Sequence, residues 1–168
     1  MTKKVLVAYG SKYGATREIA EKIGEVLSTH QLEVDVISAD NAGDLAGYDA
    51  AVVGGAVYVG RWYKPAVRFL KKHVRTLAAM PVWFFSSGPT GEGEPVELLD
   101  GWTFPKNLQS LADQINPRDM AVFHGSINLE KVSGLDKRML KAVGAESGDF
   151  RDWEAIATWA AKIAAGLP

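Results

Sequence analysis

Residues Val5–Tyr9 make a short apolar run that breaks at Gly10 into a turn of small and hydroxyl-bearing residues, Gly10–Thr16 (GSKYGAT). Beyond the turn, Ile19, Ile23 and Val26/Leu27 recur at the interval of one helix face, while Arg17, Glu18, Glu21 and Lys22 supply the wet side. This is a strand that turns through small residues into a helix N-terminus. Such a junction collects unpaired backbone N–H groups at the positive end of a helix dipole, and that combination binds phosphate. The hydroxyls of Ser11 and Thr16 add donors without fixed charge.

The turn lacks the Gly-x-Gly-x-x-Gly spacing that serves a dinucleotide pyrophosphate and the Gly-Lys-Ser/Thr ending of a nucleoside triphosphate loop. Its Ser-x-x-Gly-x-Thr pattern resembles the loop with which flavodoxins hold the phosphate of FMN. Ser11, Lys12, Tyr13, Gly14, Ala15 and Thr16 are the candidate cradle. That family's usual form has a hydroxyl where this chain has Tyr13, so one donor is absent or is supplied by Lys12 or the backbone.

Composition excludes several chemistries. The 168 residues are 47% hydrophobic, enough for a sizeable core, and the length prior makes 1–168 a single domain. A net charge of -1 gives no long-range pull toward nucleic acid or an anionic membrane. The chain has no cysteine, which removes disulfides, thiol nucleophiles and Cys-ligated metals. Redox chemistry must then sit on a bound organic cofactor. Lys3 and Lys4 precede an apolar run too short for a signal peptide, and no run reaches membrane-spanning length, so a cytoplasmic protein is expected. His30, His73 and His124 show no metal-ligand spacing, and no metal is expected.

Strand and helix patterns alternate along the chain. Val34–Ile37 reads as a strand near the sheet edge, Ala50–Gly55 and Val82–Ser86 as buried strands, and Ala121–Gly125 as a fifth. Asp40 is placed to cap a short helical piece over Ala42–Ala46. Pro65 opens a helix whose Phe69/Leu70, Val74 and Leu77 face inward. Leu108, Leu111/Ala112 and Ile115 mark another, and Trp153, Ile156, Ala160 and Ile163 the last, with Asp149 or Asp152 near its start. The alternation predicts an α/β fold with a parallel sheet carrying helices on both faces. The resemblance to flavodoxins implies the flavodoxin-like three-layer sandwich with strand order 2-1-3-4-5.

Ligands of such folds sit beyond the carboxyl ends of the strands, where three loops converge: Gly10–Ala15, Ala56–Lys64 and Ser86–Phe104. In the second, Ala56, Val57, Tyr58, Val59, Gly60 and Trp62 are candidates for an isoalloxazine ring, which needs aromatic or aliphatic planes against its faces, and Tyr63 is a further aromatic. Gly60 is the residue best able to reorient its peptide, because it tolerates positive φ. In the third, Ser86, Ser87, Gly88, Thr90 and Gly91 offer backbone N–H groups and hydroxyls to the ring's polar edge. The acids Glu92, Glu94, Glu97 and Asp100 follow, then Trp102 and Phe104, as a solvated loop anchored by two aromatics or a lip over the site.

Gly55–Tyr63 (GAVYVGRWY), Arg68–His73 (RFLKKH), Met80-Pro81 and Asp152-Trp-Glu together resemble the flavodoxin-fold, quinone-linked protoporphyrinogen oxidases. The likeness is good to about residue 86 and in the last helix, and poor over 87–117. Those oxidases carry a long basic insertion after the last strand. Here the corresponding segment runs from Ile127 to Val143, with Leu135, Met139 and Val143 on one face beside Lys131, Lys137, Arg138 and Lys141. That face is expected to pack against the domain, with a weak membrane-surface or quinone-docking helix as the alternative. The resemblance implies an FMN-dependent oxidoreductase acting on a porphyrinogen-like substrate with a quinone acceptor. The other reading is a flavodoxin-type carrier between redox proteins. Response-regulator receivers need acids where this chain has Tyr9-Gly10 and Gly54-Gly55, and phosphatases of similar architecture need a cysteine.

Overall fold

Val5, Leu6, Val7 and Ala8 are all fully buried. A strand this apolar on both sides belongs in the middle of a sheet covered on each face. The computed structural model describes residues 2–167 and places this strand, β1 (Lys4–Gly10), there. It pairs in parallel with β2 (Glu33–Ser38) and with β3 (Ala50–Tyr58). A two-residue strand, β4 (Arg61–Trp62), folds back antiparallel on β3. Parallel pairing continues from β3 to β5 (Val82–Ser87) and on to β6 (Asp119–Phe123), so the order is β2-β1-β3-β5-β6. With β4 set aside as a hairpin arm, this is the expected 2-1-3-4-5 arrangement, with the charged β2 at an edge.

The sheet divides the core in two. Helices α1 (Ala15–Ser28) and α6 (Trp153–Ala165) cover one face, where Ile19, Ile23 and Leu27 meet Val5, Val7, Ile156 and Ile163. Each of those buried aliphatic side chains contributes about 1.5–3 kcal/mol. Helices α2 (Lys64–Ala78) and α4 (Gln109–Ile115) cover the other face, with Leu6, Val53, Phe69, Leu70 and Phe84 between them. Asp152 caps α6 by accepting from the Ala155 N–H at 3.0 Å. Trp153 lies exposed at the start of α6, and it is Trp159 that turns inward against Phe85 and Phe123.

The expected helix over Ala42–Ala46 does not form. A single 3-10 turn, Ala39–Asn41, precedes that stretch, and Asp40 lies inside the turn rather than capping a helix. Asp44 Oδ1 accepts from the Ala46 N–H at 3.0 Å, a local side-chain bond that competes with helix formation, while Leu45 is drawn into the core. The remaining elements are short: α3 (Pro95–Leu98), β7 (Ser126–Ile127), α5 (Gly134–Ala142) and β8 (Gly148–Asp149), which pairs with β7. No helix among the described residues is long and apolar enough to cross a membrane.

Candidate functional site

Beyond the carboxyl ends of β1, β3, β5 and β6 lie two adjoining cavities, of about 220 Å³ and about 550 Å³. Val57, Tyr58, Gly88, Ile127 and Leu140 line both. Ser11, Tyr13, Ala15, Thr16, Ala56 and Ser87 line the smaller one. Lys12, Val59, Gly60, Thr90 and Gly91 line the larger. Most of the expected cofactor residues are therefore brought to one place.

The smaller cavity sits at the N-terminus of α1. Gly14, with φ of 95°, turns the chain into the helix, and its N–H donates to Ser11 Oγ at 3.1 Å. The first helical bond runs from Glu18 N–H to the Gly14 carbonyl, so the N–H groups of Ala15, Thr16 and Arg17 precede the ladder. Thr16 and Ser87, each 2% exposed, share a hydrogen bond of 2.8 Å between their hydroxyls at the edge of this chamber. A buried hydroxyl pair beneath a helix N-terminus is a donor set suited to an oxyanion.

The larger cavity is bounded by the β3–β4 turn. Val59 and Gly60 hold φ of 51° and 72°, the paired positive values of a tight hairpin turn. Glycine adopts this freely, as expected of Gly60, whereas a β-branched residue there is strained. Val59 is nonetheless 64% exposed. Such strain persists only where the surroundings impose it, and it concentrates at ligand sites. Tyr58 stands between the two chambers, and burial pushes its phenol up to about 12, so it is a neutral donor at ordinary pH.

Three of the expected cofactor residues, Trp62, Ser86 and Gly14, line neither cavity. Trp62 is 3% exposed and lines neither cavity. Its ring lies over Gly55, where a Cβ would come within 2.5 Å of it, and it packs against Phe84 and Phe104. Ser86 is equally buried because its Oγ accepts the Trp62 indole N–H at 2.8 Å. Both belong to the core below the site. Gly14 likewise lines no cavity and acts through the turn it makes. Phe104 anchors the acidic loop by stacking on Phe84, and only Glu92, Leu98 and Leu99 of that loop reach the larger cavity.

Lys12 is not turned to the smaller cavity. Its ammonium donates to Asp136 of α5, and the Tyr13 hydroxyl donates to the same carboxylate at 2.5 Å. Those bonds hold the Asp136 carboxyl below its usual range and raise Lys12. At the far end of the same segment the Glu146 N–H donates to Thr90 Oγ1 at 3.0 Å. Residues 126–149 thus form a strap tied to the first and third of the three converging loops, with Met139, Leu140 and Val143 turned over the larger cavity. The expected packing of the Leu135/Met139/Val143 face is overturned: these are 72%, 41% and 64% exposed. The strap's contributions, together with Glu18 and Gly125–Asn128 on the smaller cavity, were not foreseen. For Gly125–Asn128 a signal existed, because the same strand-end rule applies to the loop after the fifth strand.

The flavodoxin domain model matches residues 6–153. The chain belongs to the flavodoxin domain family. It is 24% identical over 172 residues to protoporphyrinogen IX dehydrogenase (quinone) of Escherichia coli strain K12, covering 96% of this chain and 94% of the relative. The enzyme of that name from Leishmania major is 24% identical over 178 residues, covering 96% of this chain and 75% of the relative. The crystal structure of oxidised flavodoxin 2 from Bacillus cereus superposes with a TM-score of 0.64 at 18% identity, covering 98% of this chain and 99% of that one, a likeness of fold.

Proposed function

We propose that residues 1–168 act as one flavodoxin-type domain that binds FMN non-covalently and passes electrons through it, oxidising a flat, porphyrinogen-like substrate with a quinone as acceptor. The observation that carries the reading is the pair of joined chambers, one built for an oxyanion and the other of about 550 Å³ with an aliphatic and aromatic lining. The phosphate is assigned to the α1 N–H groups and the hydroxyls of Ser11, Thr16 and Ser87. The ring is assigned to the larger chamber, between Val57–Gly60 and Gly88–Gly91. Bound FMN supplies the redox centre that a cysteine-free chain lacks. The chain's own residues bind and orient it, and Met139, Leu140 and Val143 exclude water above it.

An enzyme reading is favoured over a carrier by that roof. A carrier needs little more than an exposed flavin edge with charges to steer partners. Here Val59, Leu98, Met139 and Val143 put apolar surface at the mouth. Exposed Leu135 with Lys137, Arg138 and Lys141 also gives α5 the makeup of a weak membrane-surface contact, where an apolar quinone is found. The names of the relatives point the same way.

Visible spectroscopy of the purified protein tests the cofactor, with identification of the flavin released on denaturation. The expected result is a yellow protein that releases FMN, is reduced anaerobically by a porphyrinogen and is reoxidised by a quinone. A protein indifferent to FMN ends the reading. One that binds FMN, turns over neither substrate and accepts single electrons from a reductase is a carrier.

A further inference from the structure

We propose that Arg151 is a positioning residue for the terminal phosphate of the flavin, aiming the Ala15–Thr16 peptide and neutralising Glu18 on the cavity wall. The proposal rests on the FMN reading and deepens it. Arg151 lies between β8 and α6, outside both cavities, with its side chain only 8% exposed. Its Nε and Nη2 donate to the two oxygens of Asp149 at 2.9 and 2.8 Å, a bidentate pair that local structure alone accounts for. Nη1 is left to face α1. It donates to the Ala15 carbonyl at 3.2 Å and lies 3.3 Å from Glu18 Oε1.

Both contacts bear on the phosphate chamber. In a trans peptide the carbonyl and the next N–H point in opposite directions. Holding the Ala15 carbonyl against Arg151 therefore turns the Thr16 N–H away from Arg151, toward the open N-terminus of α1. Glu18 is a first-turn acid that lines the smaller cavity. There it suits the helix dipole but opposes a dianionic phosphate. Arg151 is the cation beside it, and it directly follows the strap, whose end is fixed because Asp149 pairs with Ser126 and the Phe150 N–H donates to the Gly125 carbonyl at 3.1 Å. The wall of the chamber and the helix that faces it are thereby tied by one guanidinium.

The test titrates flavin-stripped full-length protein with FMN and with riboflavin, which lacks the phosphate. Arg151→Gln is expected to weaken FMN about tenfold and riboflavin by less than about twofold, as for loss of a hydrogen bond to a charged group. Glu18→Gln is expected to tighten FMN about two- to threefold, and in the Arg151→Gln background to recover at least about threefold, with riboflavin unmoved. Arg151→Lys, which keeps the charge but not the fork, is expected to fall between wild type and Gln. Equal loss of both flavins in Arg151→Gln, or no recovery in the double variant, overturns the proposal. Should Arg151→Gln fail to fold, Glu18→Gln alone decides, and no gain in FMN preference overturns it. Wild-type protein that binds neither flavin overturns the FMN reading itself, whatever the variants do.

Discussion

The two ends of the site are built differently. The phosphate end stands on regular structure, with Thr16 in α1 and Ser87 on β5 both 2% exposed and joined 71 residues apart by one hydrogen bond. The ring end is made of turns and a strap, with Val59, Leu98, Met139 and Val143 all substantially exposed and Asp136 fastened to exposed partners. A donor set on buried elements is preorganised, so a ligand that meets it loses little to reordering. A roof held by a few surface bonds opens locally at much lower free energy than the core. One end is suited to retaining a cofactor and the other to admitting something that comes and goes. Three perturbations test that division, in decreasing order of effect.

The largest effect belongs under the site. Trp62→Ala removes a fully packed aromatic from between Phe84, Phe104 and Gly55, and is expected to cost about 3–5 kcal/mol of folding stability in denaturant titration. Trp62→Phe keeps most of the volume, so flavin affinity is expected to stay within about twofold of wild type. A folded Trp62→Phe protein that binds FMN and riboflavin tenfold more weakly would return Trp62 to the ring's wall and blur the boundary between core and site.

Next comes the phosphate end. Thr16→Val deletes a hydroxyl at nearly constant volume, and a hydrogen bond to a charged group is worth about 1.5–3 kcal/mol. FMN affinity is expected to fall roughly ten- to a hundredfold in fluorescence titration, while riboflavin barely changes. Parallel losses would mean that the Thr16–Ser87 bond serves packing and not the ligand.

The same division decides what was legible in the sequence. The phosphate end could be read because two periodicities, of a strand and then a helix, meet at a turn whose residue types have a specific use. Gly60 could be read because its backbone freedom is a property of the residue. Trp62 misled because an aromatic in a glycine-rich loop looks the same whether its ring meets a ligand or a glycine on its own sheet. Only the Gly55 surface beneath it decides. The Leu135/Met139/Val143 face was correctly seen as a stripe, but spacing does not say which way a stripe points. Here Met139 and Val143 reach over the larger cavity beside Asp136 and Leu140 while Leu135 faces away, and the partners of Asp136 lie more than 120 residues away. No local pattern encodes a contact of that range. The Ala42–Ala46 helix failed for the opposite reason, because a local bond from Asp44 outweighed a cap at Asp40.

The smallest effect is at the strap, and pH reads it. Lys12 and Tyr13 donate to Asp136 and lower its folded pKa beneath the ordinary carboxylate value. A depressed carboxylate contributes stability that is fully present above its unfolded pKa, about 3.9, and is lost as pH falls through the folded value. Arg151 lowers Asp149 in the same direction, so the Asp136 fastening and the Asp149–Arg151 pair both weaken on acidification and neither weakens toward alkaline pH. Hydrogen exchange followed by mass spectrometry is therefore expected to show α5 opening below about pH 4 before β1 and β3 lose protection, with no such opening between about pH 5 and about pH 8. Asp136→Asn is expected to give the open pattern of α5 at neutral pH and to remove most of its acid dependence, while leaving the central strands unchanged. If α5 instead exchanges in step with β1 at every pH, the strap is part of the cooperative core, and the contrast between a fixed phosphate end and a movable ring end is lost.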